Sequence, residues 1–155
     1  MSKYIQECKS YIARGGESFL KRSIFKRGLS DFSISEFEVY LVENKDVSFN
    51  EMLFRMIDRT NQKDSDVYKK ARIDRRLFSK IRSSKKYIPS KKTVIALCLA
   101  LELSLDDANV LLSSAGYSLS RSSDYDLAIS FCFFKRIYDF NDINELLYDL
   151  GFDIF

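Results

Sequence analysis

Between residues 48 and 116 apolar side chains recur at helical spacing, broken at short intervals by polar turns. Phe49, Met52, Leu53, Met56 and Ile57 stand at i, i+3, i+4, i+7 and i+8, the stripe of an amphipathic helix. Ser48-Phe49-Asn50-Glu51 has the spacing of a capping box at its start. A polar turn at 61–63 follows, and then two short helices, for which Asp64 and Asp74 are the expected caps, since a short carboxylate accepts from the unpaired amides of a helix start. In the second of these, spanning 74–83, Ile73, Leu77, Phe78 and Ile81 form an apolar back. Arg75, Arg76, Ser79, Lys80 and Arg82 fall on the opposite side, with Ser83 at the end. A loop over 83–88 carries Lys85 and Lys86. Pro89 then precedes Ser90, the expected cap of a helix over 91–101 that is apolar nearly all round and hence buried. Ser104 with Asp107 opens one more helix through Val110, Leu111 and Leu112, finishing near Gly116.

The flanks are helical by the same reading. A helix over 2–14 gathers Tyr4, Ile5, Cys8, Tyr11 and Ile12, and Gly15-Gly16 ends it. Another over 17–26 buries Phe19, Leu20, Ile24 and Phe25 and stops at Gly28. Ser33-Ile34-Ser35-Glu36 begins a third segment with Phe37, Tyr40 and Leu41, although the alternation across 37–42 also permits a strand. Beyond a polar linker at 118–123, Leu127, Ala128, Phe131, Cys132, Phe134 and Ile137 mark an aromatic helix over 124–138. Asp142 and Glu145 open a last one with Ile143, Leu146, Leu147 and Leu150, ending at Gly151. The expected fold class is therefore all-α, with an N-terminal helical subdomain at 1–46, a central domain at 47–118 and an acidic helical extension at 119–155.

Composition agrees with a folded chain, 46% of its 155 residues being hydrophobic and 14% aromatic. The net charge of +3 hides a segregation. Residues 63–92 hold twelve lysines and arginines against Asp64, Asp66 and Asp74, whereas 124–155 hold seven acids against Lys135 and Arg136. Positive charge is concentrated where the two short helices lie, and a short helix with an apolar back and a basic front fits a DNA major groove.

Other chemistry finds little footing. There is no histidine, which excludes histidine-based acid–base catalysis and histidine metal sites. No phosphate loop, nucleophile–base pair or carboxylate dyad stands out, so no enzyme activity and no cofactor are expected. Cys8, Cys98 and Cys132 are odd in number and widely spaced, a pattern of reduced, packed thiols. The longest apolar run, 94–101, is too short to span a bilayer, and the N-terminus has no secretory apolar core; a cytoplasmic protein is expected.

Taken together, residues 49–112 resemble the five-helix DNA-binding domain of the λ-repressor/Cro superfamily. A leading helix, a scaffold helix ending near Arg72, a recognition helix over 74–83, a basic loop ending in Pro89 and a buried fourth helix come in that order. Leu101-Glu102-Leu103-Ser104-Leu105-Asp106-Asp107-Ala108 is similar to the phrase that opens the fifth helix in many such domains. The run from Val67 to Arg82, followed by Pro89-Ser90-Lys91, resembles a variant found as a C-terminal module in bacterial proteins. The resemblance implies base reading by Arg75, Arg76, Ser79 and Lys80, on the helix face that also carries Arg82 and Ser83. It places Lys85, Lys86, Tyr87, Ser90 and Lys91 against phosphates. It also implies a transcriptional regulator of a bacterium or mobile element, pairing as a homodimer through its N- or C-terminal helices. Three positions depart from the pattern: Tyr68 replaces a small alanine at the helix crossing, Arg72 a glycine in the turn, and Asp64 a glutamine that reaches a phosphate. A tyrosine there requires a wider crossing or a ring tilted outward. The rival reading is a small inhibitor or adaptor, for example an anti-defence or anti-CRISPR protein, that sets its basic face against a partner protein or blocks that partner's nucleic-acid channel.

Overall fold

The computed structural model describes residues 34–155, and the helices expected at 2–14 and 17–26, together with Cys8, lie outside them. The chain divides into two compact units, Met1–Asp46 and Val47–Phe155. In the first, α1 (Ile34–Asn44) settles the open choice at 37–42 as helix, closed by Asn44 Nδ2 donating to the Tyr40 carbonyl at 2.8 Å.

The second unit is all-helical: α2 (Phe49–Thr60), α3 (Asp64–Lys70), α4 (Arg75–Ser83), α5 (Lys91–Ala100), α6 (Leu105–Ser114), α7 (Asp124–Lys135) and α8 (Phe140–Asp149). The starts follow one chemistry. Ser48, Asp74, Ser90, Ser104, Ser123 and Asp139 each stand at an N-cap in extended conformation, their side chains accepting from amides of the first turn. α3 is the exception. Asp64 is its first helical residue, not its cap; Lys63 holds the cap position and makes no side-chain bond there. The Asp64 carboxylate instead forms an ion pair with Arg82, a partner that local spacing could not reveal.

Five of the seven ends, all but those of α2 and α4, also share one geometry. Arg72, Glu102, Gly116, Arg136 and Gly151 all have φ between 53° and 78°, the left-handed region. After each comes an apolar residue (Ile73, Leu103, Tyr117, Ile137 or Phe152) whose amide reaches back to a carbonyl five residues earlier at 2.8–3.1 Å. This pattern satisfies carbonyls that would otherwise be orphaned and turns the apolar residue into the core. Arg136 therefore stops α7 three residues before the expected 138, and Asp139 starts α8 at Phe140, ahead of the expected Asp142.

At the centre lies α5, every residue from Val94 to Ala100 being buried. It packs on α3 and α6; α6 packs on α2 and α7, and α7 on α8. Ile129, Cys132, Phe133, Phe140, Ile143 and Leu147 belong to the same apolar cluster as Leu53, Ile81 and Leu97. Residues 119–155 are thus continuous with the core of the unit. Burial pushes the Cys98 thiol well above its ordinary value, and Cys132 in the same direction. Both are free, buried thiols. Two tyrosines close the seams: Tyr117 donates to the Pro89 carbonyl and Tyr138 to the Leu103 carbonyl, each at 2.8 Å. Burial raises the Tyr138 hydroxyl above the usual phenol range. Among the described residues no helix is long and apolar enough to cross a membrane.

Candidate nucleic-acid interface

The stretch joining α3 to α4 is four residues long and rigidly terminated. Ala71 is buried, Arg72 takes the left-handed conformation, the Ile73 amide bonds the Tyr68 carbonyl at 2.9 Å, and Asp74 caps α4 through the Arg76 amide at 2.9 Å. Arg72 adopts the backbone that a glycine would take with less strain. Its guanidinium donates to Asn141 Oδ1 at 2.8 Å and lies 5.5 Å from the Phe140 ring centroid, so α8 holds the turn from outside. Tyr68 is half-buried and leans on Phe78, with ring centroids 5.6 Å apart.

The back of α4 is locked at two levels. Phe78 and Ile81 are buried, and Phe54 meets Phe78 edge-on at 6.0 Å. Asn50, buried on α2, directs Nδ2 at the carbonyl of Ile81 and also, at 3.2 Å, at that of Arg82, taking up two acceptors at the end of α4. Asn50 had no local signal in the sequence, because its partners are some thirty residues away and it sits inside an ordinary capping box.

With the back fixed, the front is determined by helix geometry. Arg75 and Ser79 form one row, Arg76 and Lys80 the next, and all four are exposed. Neither Arg75 nor Arg76 has a carboxylate partner among the described residues. Lys80 Nζ lies over the Tyr87 ring at 4.3 Å, which brings the loop after α4 up to the helix. Lys85 and Lys86 stand exposed at the tip of that loop, and Ser83 Oγ turns back onto the Lys80 carbonyl at 3.4 Å.

Three of the sequence-derived site residues are engaged elsewhere. Arg82 stacks over Phe54 at 4.0 Å and pairs with Asp64. Ser90 caps α5, accepting from the Thr93 amide at 3.3 Å. Lys91 donates to Asp126 Oδ2 at 2.7 Å, and that carboxylate, 97% buried, also accepts from the Ser120 amide at 2.8 Å. The charges that remain outward, on Arg75, Arg76, Lys80, Lys85 and Lys86, form one continuous basic strip along α4 and its following loop. Such a strip can accept a polyanionic backbone while offering planar guanidinium groups to base edges.

Set against protein-family models, curated proteins and solved structures, the chain matches none.

Proposed function

We propose that residues 47–118 form a λ-repressor/Cro-like helix-turn-helix domain that binds double-stranded DNA, with α3 as scaffold and α4 as recognition helix, in a bacterial or mobile-element regulator. One observation carries this reading. Among the described residues Arg75, Arg76 and Lys80 have no acidic partner, whereas Arg82 and Lys91 are paired with Asp64 and Asp126. The pairing of Asp64 also supports it, because the carboxylate standing where the family has its phosphate-reaching glutamine is compensated by a guanidinium. Arg75, Arg76, Ser79 and Lys80 read base edges in this scheme. Lys85, Lys86 and Tyr87 meet the backbone.

Selection of bound sequences from a random duplex pool by the full chain, followed by titration at several salt concentrations, tests the reading. Arg76→Ala is expected to weaken the selected site by about 1–3 kcal/mol while leaving random duplex nearly unchanged. Lys86→Ala is expected to weaken both alike and to lower the salt slope by about one phosphate contact. If the chain retains no duplex at low salt and is recovered from its host bound to a protein instead, the inhibitor or adaptor reading replaces this one.

A further inference from the structure

Helix α7 exposes five side chains: Asp124, Leu127, Phe131, Phe134 and Lys135. Three are large and apolar, with Leu127 45%, Phe131 46% and Phe134 73% exposed, where a solvated helix face would carry polar groups. They stand at i, i+4 and i+7 and form one stripe. Its only charges are an acid at the N-terminal end and a lysine at the C-terminal end, both along the same flank. Lys135 Nζ lies 5.9 Å from the Phe131 ring and 5.5 Å from the Phe134 ring, so the cation borders the apolar surface directly.

We infer that this face binds a second copy of the chain, α7 against α7 in antiparallel register about a twofold axis near Phe131. The inference is independent of DNA binding. Its ground is that the stripe is complementary to itself in one orientation only. With the axis at Phe131, Leu127 of each copy meets Phe134 of the other, and the two Phe131 rings meet on the axis. The same register leaves Asp124 of each copy three residues, about 4.5 Å of helix rise, from the level of Lys135 of the other, an offset the lysine side chain can span. The two lie on the same side, because in an antiparallel helix pair like flanks face each other. Apolar and charged pairs thus each place the axis within about one and a half residues of Phe131, or roughly 2 Å of helix rise. A parallel pair would put like charges at the same height on opposite flanks and bring no acid to a base. An isologous contact of this kind closes at two copies.

Sedimentation velocity on the full chain over a range of concentrations tests this. The wild type is expected to sediment as a concentration-dependent dimer. Phe131→Glu combined with Phe134→Glu is expected to raise the dissociation constant at least ~100-fold, with helix content unchanged because both side chains are exposed. Asp124→Lys alone and Lys135→Asp alone should each weaken pairing several-fold; the double reversal should restore it to within about twofold. A wild type that stays monomeric at every concentration overturns the inference. So does a dimer that survives the two glutamates, which would place the contact elsewhere on the chain. A double reversal no better than the single variants overturns the antiparallel register.

Discussion

Replacing Phe78 with alanine is expected to lower stability by about 3–5 kcal/mol, the range for deleting a buried phenylalanine and leaving its cavity. The ring is 4% exposed and touches two others, Phe54 of α2 and Tyr68 of α3. It is the point where the three helices that shape the basic face come together. Its loss removes transfer free energy and both ring contacts at once, and neither neighbour can close the gap without leaving its own packing. The melting temperature should fall by on the order of 10 °C. Phe78→Leu, which retains most of the volume, should cost under about 1.5 kcal/mol. Thermal and chemical melts of the two variants decide the matter; an alanine variant that melts with the wild type would show that the ring does not fasten α4.

Asp126→Ala is the second large effect expected, at about 3 kcal/mol. The carboxylate accepts from the Lys91 ammonium and from the Ser120 amide, and charged hydrogen bonds of this kind contribute about 1.5–3 kcal/mol each. Simple addition is tempered on one side only. Lys91 keeps 34% of its side-chain exposure and can turn to water, whereas the Ser120 amide loses its acceptor. Asp126→Asn should cost less, since a neutral amide oxygen can still accept. Denaturant midpoints at constant slope measure both variants. The asparagine variant also probes the proposed function, because it returns the charge of Lys91 to the solvent beside the loop. Its affinity for random duplex should be no lower than that of the wild type despite its lower stability. A drop would show that the Lys91–Asp126 pair itself supports binding, against the view that it only withholds a cation from the phosphates.

Features written in neighbouring residues were legible in the sequence, and those that depend on distant partners were not. Ser48, Asp74, Ser90 and Ser104 were readable as caps, because a cap and the amides it serves are within four positions of each other. The buried run of α5 and the outward set Arg75, Arg76, Ser79 and Lys80 followed from periodicity. Asp64 was misassigned because its alternative, Arg82, lies at the far end of the next helix. The same reason hid Asn50 on the end of α4, Arg72 on Asn141 and Lys91 on Asp126. The helix stops at Glu102 and Arg136 were invisible for another cause: a charged residue in left-handed backbone has no compositional mark, whereas Gly116 and Gly151 do. Of the candidate site, the helix was readable, but which of its cations are already committed within the fold was not.

The uncapped start of α3 has a dynamic consequence. This helix is seven residues long, has no side-chain bond from its N-cap Lys63, and is followed by an arginine in left-handed backbone, so little of its hold on itself is local. Neighbours keep it in place, chiefly Val67 beneath it and Arg82 reaching across from α4. Among amides bonded within helices of the second unit, those of α3 should be the first to trade deuterium with solvent, by openings far smaller than global unfolding. The scaffold would then breathe while the helix in front of it stays intact, and any ligand gripping both would register as slowed exchange at 67–70.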